Sequence, residues 1–189
     1  MAINLLFIHS AGAQSGQQGS SPFLKHLRND LGSDFVIKSP KMPVPTKPSY
    51  ERWREELDQQ FGGDSPPKIV VGHSLGGSVL LKYLSEQTSV SQMVGVFIIA
   101  APWWGAKDWM VEEFMLDKNI AQTLPKHLAI YFYHARNDDV ASIQHLTLYA
   151  NAIPKASVTE LKAGGHLFKT GLPELVQDIK ALSHSLIHS

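Results

Sequence analysis

The chain has 189 residues, and at about 150 residues per domain the expectation is a single domain spanning 1–189. With 43% hydrophobic and 18% charged residues the composition is that of a globular protein with a core, which sets aside disordered and low-complexity classes. Lys+Arg and Asp+Glu both number 17, so no excess positive field gathers phosphates and no nucleic-acid partner is expected. Cysteine is absent, which removes disulfides, thiolate nucleophiles and Cys-ligated zinc. No apolar run approaches the about 18 residues of a membrane span. The short run Leu5-Leu6-Phe7-Ile8 has no basic stretch before it, so a soluble, cytoplasmic protein is expected.

Residues 3–9 form a nearly unbroken apolar run ended by Ser10, Ala11 and Gly12, the pattern of a strand covered on both faces of a parallel sheet. A helix follows, with Ser21 as its expected cap, Pro22 at its first position and Phe23, Leu24, Leu27 and Leu31 on one face. A second strand is expected over 35–38, and then the proline-rich stretch 40–48, a stiff connection because proline fixes φ. Tyr50, Trp53, Leu57 and Phe61 make the next helical stripe. Further strands are expected over 68–71, 93–100 and 128–134, with a weaker one over 157–161. The corresponding helices run over 75–86 and 143–152, and a closing helix carries Leu175, Ile179, Leu182 and Leu186. Strand and helix alternate throughout, which predicts an open α/β sheet, mostly parallel, with helices on both faces.

The strongest chemical signal is Gly72-His73-Ser74-Leu75-Gly76-Gly77, preceded by Ile69-Val70-Val71 and followed by a helical pattern. This is G-x-S-x-G in a strand-turn-helix setting, the nucleophile elbow, in which glycines flank a serine on a turn too tight for side chains. A serine hydroxyl needs a histidine to take its proton, and the histidine needs an acid to hold its orientation. Downstream, in the order Ser, acid, His, come the loop Asn137-Asp138-Asp139 and the turn Gly164-Gly165-His166. Asp138 is preferred to Asp139, which is better placed to begin the next helix. The N–H of Leu75, after the nucleophile, is one expected oxyanion donor; Ala11 is the second, with Ser10 as the alternative. Trp103 and Trp104, with Trp109 and Phe114, either wall an acyl pocket or cover the sheet edge.

The remaining histidines have plainer readings. His73 is expected to pack beneath the sheet edge and His9 to orient a loop. His184 and His188 are four apart on a helix but lack a third ligand, so no metal is expected. His26, His127, His134 and His145 have no motif around them.

The chain resembles the α/β-hydrolases, and more narrowly the small cap-less serine hydrolases related to retinoblastoma-binding protein nine and its bacterial counterparts. The resemblance rests on residues 72–77, on Met42-Pro43-Val44-Pro45 with Tyr50 and Trp53, on Asn137-Asp138-Asp139, and on Gly164-Gly165-His166. It implies a six-stranded parallel sheet of order 2-1-3-4-5-6 and Asp138 as the triad acid. The first loop lacks the His-Trp pair many relatives carry, and Val140-Ala141-Ser142 stands where an apolar pair and proline are common.

The expected function is hydrolysis of a small carboxylic ester through an acyl-enzyme on Ser74, with His166 as base, Asp138 as its orienting acid, and no cofactor. The partner is a small-molecule acyl substrate, and 102–124 offers a small lid but no cap domain. A catalytically silent binding module, or an acyltransferase or peptidase using the same triad, is the alternative reading.

Overall fold

A computed structural model describes residues 2–64, 66–87 and 92–187. Its framework is a six-stranded sheet of β1 (Ile3–Ile8), β2 (Phe35–Lys38), β3 (Ile69–His73), β4 (Gly95–Ile99), β5 (Ala129–Ala135) and β6 (Ser157–Leu161). The spatial order is β2-β1-β3-β4-β5-β6, and all five neighbouring pairs are parallel. The expected order and the parallel arrangement are therefore both present.

Alternate strand residues feed opposite cores, as the period of two requires. Leu6, Ile8, Val70, Val96 and Ile98 join one apolar cluster with α2 (Tyr50–Phe61), α3 (Leu75–Glu86), α4 (Ile120–Thr123) and α5 (Gln144–Ala152). Leu5, Phe7, Val71, Phe97 and Ile99 join the other with α1 (Ser21–Leu31) and α6 (Pro173–Ile187). β3 and β4 are buried at every residue, which explains why their sequences show no polar alternation. β6 lies at the sheet edge with an exposed first half, the physical reason for its weaker sequence signal.

Most boundaries move by one or two residues from those expected. One difference concerns chemistry: Ser20, not Ser21, occupies the α1 N-cap position, and its side chain makes no cap bond. That hydroxyl is fully buried and turned to other partners instead. The side chain of Leu186 and all of His188 lie outside the described residues.

β1 has β2 on one side and β3 on the other, so the chain leaves it in opposite directions. The crevice outside the carboxyl ends of β1 and β3 is thereby the topological switch point, where open α/β sheets bind ligands.

Candidate active site

β3 delivers Ser74 to this crevice on a strained turn. Ser74 has φ 53° and ψ −123°, a region that L-residues avoid and that costs on the order of 1–3 kcal/mol. The turn closes only because its flanks lack side chains. A Cβ at Gly72 would meet the Cα of Gly77 at 2.6 Å, and one at Gly76 would meet the His9 carbonyl at 2.4 Å. Burial of β3 and the bonds Ser74 N–H to Ile99 O at 2.8 Å and Gly77 N–H to Ser74 O at 2.9 Å hold it in place.

The structure brings the three expected side chains together. Ser74 Oγ lies 2.9 Å from His166 Nε2, and His166 Nδ1 lies 2.9 Å from Asp138 Oδ2 and 3.1 Å from Oδ1. Ser74 and His166 are each buried, and the Asp138 side chain is fully covered. Asp139 is exposed. Because the carboxylate only accepts, His166 Nδ1 is the donor to Asp138, which leaves Nε2 to accept the Ser74 hydroxyl proton.

Asp138 is held as an anion by its own loop. Oδ1 accepts the N–H groups of Val140 and Ala141, each at 2.9 Å. Burial pushes the carboxyl up, but the hydrogen bonds from His134 and His166 and the Val140 N–H outweigh it and hold the carboxyl well below the usual range. His134, buried at the end of β5, places Nε2 at 2.7 Å from the Ala141 carbonyl and 3.2 Å from Asp138 Oδ2. Asn137 Oδ1 accepts the Gly165 N–H at 3.0 Å, tying the acid loop to the histidine loop. Neither contact has a sequence signature that singles it out, and His134 has no motif around it.

A cleft of about 290 Å³ opens over Ser74 and His166. Ala11 and Leu75 both line it. Leu75 begins α3, so its N–H has no intrahelical acceptor. Among the described residues neither it nor the Ala11 N–H meets an acceptor, whereas the Ser10 N–H is taken by Ser20 Oγ at 2.8 Å. Of the two candidate donors on the first loop, Ala11 is the one left available.

The tryptophans separate. Trp104 lines the cleft with Trp109 and Phe114 and packs against both rings. Trp103 is not among the cleft-lining residues; its ring stands edge-on to Tyr149 and its backbone N–H donates to His145 Nδ1 at 2.9 Å. Pro48, Val140 and Leu167 complete walls that the sequence did not single out. Among the described residues no cluster of three or more His, Asp or Glu is placed to hold a metal ion.

A parallel sheet in this order, with a serine on the β3–α3 turn facing a histidine and an acid from later loops, defines the α/β-hydrolase fold. The chain belongs to the serine hydrolase family, whose model matches residues 14–183. It is similar in structure to the ydeN gene product of B. subtilis, at 19% identity and a TM-score of 0.79, covering 97% of this chain and 100% of that one. It is also similar to a putative YdeN-like hydrolase from Pectobacterium atrosepticum, at 14% identity and TM-score 0.69, covering 95% and 92%. The esterase domain of a Rhodothermus marinus protein matches at 17% identity and TM-score 0.64, covering 88% and 78%. No curated protein matches the sequence. No helix among the described residues is long and apolar enough to cross a membrane.

Proposed function

We propose that the chain is a serine esterase that cleaves small carboxylic esters through an acyl-enzyme on Ser74. The observation that carries this reading is the continuous relay Ser74 Oγ, His166 Nε2, His166 Nδ1, Asp138, with each link at 2.9 Å. His166 accepts the Ser74 proton as Oγ adds to the ester carbonyl, and the negative Asp138 stabilises the imidazolium formed. The N–H groups of Leu75 and Ala11 receive the oxyanion, worth about 3–4 kcal/mol of barrier per donor in comparable sites. Collapse expels the alcohol, protonated by His166. Water, deprotonated by the same histidine, then releases the acid and restores Ser74.

The apolar wall of Trp104, Trp109 and Phe114 supports an acyl side chain as its occupant, and the modest cleft volume favours short or medium chains. Residues 102–124 act as a small lid that supplies this wall. The esterase domain among the structural neighbours accords with an ester as the substrate bond. The test is a panel of p-nitrophenyl esters, thioesters and aminoacyl amides with the parent and Ser74→Ala. Esters should be hydrolysed best, and Ser74→Ala should lose at least about 10³-fold in kcat while remaining folded. A variant as fast as the parent removes Ser74 from the chemistry.

A further inference from the structure

A second cavity, of about 340 Å³, lies behind the loop that follows β1. Ser21, Lys25 and Arg28 are spaced i, i+4, i+7 and so share one face of α1, and that face lines the cavity. The opposite sides come from Gln14, Ser15 and Gly16 and from Ser39 and Lys41 after β2. The lining holds three cationic side chains and no carboxylate. In a chain of zero formal net charge, this is a local accumulation of positive charge, carried by three exposed side chains. None of the three cations makes an ion pair among the described residues.

Polar groups of the same site are also unsatisfied. Four buried side-chain polar atoms lack a hydrogen-bond partner among the described residues, and three of them, His9 Nδ1, Gln14 Nε2 and Ser21 Oγ, belong to residues lining this one cavity. Such orphans cost about 1–3 kcal/mol each, and three of them in one wall make it polar and short of internal partners. His9 is 4% exposed and its Nε2 is fixed by Ser39 Oγ at 2.7 Å. Gln14 is fixed through Oε1, which accepts the Met42 N–H at 2.8 Å, leaving its amide nitrogen as a spare donor. Burial and the charge of Arg28 hold His9 at about 4, so it is neutral and adds no charge of its own.

We propose that this cavity binds a small phosphate-bearing molecule, with Lys25, Arg28 and Lys41 around the phosphate. Arginine and lysine together suit a multiply charged tetrahedral oxyanion. The volume falls at the low end of ligand sites, about 300–1,000 Å³, enough for a phosphate with a short organic portion. The site is separate from the acyl cleft but shares a loop with it: Ser10, Ala11 and Gly19 face the cleft, and Gln14, Ser15 and Gly16 face the cavity. The inference does not rest on the esterase reading.

The test uses inorganic phosphate and glycerol phosphate as probes, titrated against the full chain and followed by ³¹P NMR at constant ionic strength set with sodium chloride. Saturable binding is expected in the parent and, with the same affinity, in Ser74→Ala. Arg28→Gln combined with Lys41→Gln should raise the dissociation constant at least about tenfold, whereas Arg28→Lys, which keeps the charge, should stay within a few-fold. Lys25→Gln, at an exposed position, gives an independent variant that should also weaken binding. Ester hydrolysis by these variants should match the parent. No saturable binding, equal competition by chloride, unchanged affinity in the neutralised variants, or loss of binding in Ser74→Ala would each overturn the proposal.

Discussion

His73 Nε2 donates to the backbone carbonyl of His166 at 2.7 Å. A carbonyl only accepts, so Nε2 carries the hydrogen and Nδ1, 2.7 Å from the Ser20 hydroxyl, is the acceptor. Ser20 Oγ in turn accepts the Ser10 N–H and lies 2.9 Å from the Ser10 hydroxyl. His73, the residue before Ser74, thus connects the loop that carries Ala11 to the loop that carries His166. In the proposed reaction it would act by positioning, beneath Ser74 and His166.

This network predicts the behaviour of Ser20→Ala. The substitution leaves the Ser10 N–H and His73 Nδ1 without partners in a buried site, a cost of about 1–3 kcal/mol. The two loops then lose their common anchor, so kcat should fall roughly tenfold with KM changed less than about twofold, the pattern of lost transition-state alignment. Steady-state kinetics with a p-nitrophenyl ester checks this; an unchanged kcat alongside a lower melting temperature would make Ser20 a stability residue only.

Asp138 and Asp139 are adjacent but not equivalent. Asp138→Asn should lower kcat by about 10³–10⁴-fold, because the amide cannot hold the tautomer that a carboxylate holds. Asp139, exposed and outside the relay, should tolerate Asn with a change of only a few-fold. The reverse ranking in parallel kinetics would move the acid by one residue.

The buried histidines set the acid limb of stability. Burial, then the charge of His166, holds His73 at about 3, and burial with Arg28 holds His9 at about 4, both below the usual 6.5. Between those values and 6.5 the unfolded chain takes up protons that the folded chain refuses. Stability is therefore undiminished by these groups above 6.5 and falls on acidification by about 1.4 kcal/mol per pH unit for each. Asp138, whose folded pKa is depressed, adds no loss until the pH approaches its unfolded value near 3.8. Urea midpoints across this range should show the slope, and His73→Asn should flatten it; a pH-independent midpoint would contradict the assignment.

The separation of the two tryptophans gives a specificity prediction. Trp104→Ala should raise KM for the preferred ester by about tenfold with little change in kcat, since it removes binding shared by ground and transition states. Trp103→Ala removes packing on Tyr149 and should act mainly on stability, by about 1–3 kcal/mol because the ring is only half-buried. A chain-length series on both variants distinguishes them, and a parent that prefers long acyl chains would contradict the small-cleft account.

Much of this arrangement was legible in the sequence because its signals are local. The turn at Gly72 and Gly76 demands absent side chains, apolar runs mark buried parallel strands, and each loop carrying a triad candidate ends a strand. The roles of Ser20 and Asn137 were not legible, for a physical reason. Ser20 meets a partner 53 residues away and Asn137 one 28 residues away, and no periodicity encodes such encounters. Ser21 is the α1 cap expected because serine before Pro22 suits that position; in the structure Ser20 takes it, with its hydroxyl directed to Ser10 and His73. Trp103 and Trp104 are neighbours in sequence, and only packing decided which of them faces the cleft.

The central claim is that Ser74 is the activated nucleophile. Mass spectrometry of the chain after treatment with a fluorophosphonate tests it most directly. Ser74 Oγ should displace fluoride and carry one phosphonyl group, mapped to the peptide containing Ser74, with labelling slowed by orders of magnitude in Asp138→Asn and absent in Ser74→Ala. An unlabelled parent, or a label on another serine that persists in Ser74→Ala, would contradict it.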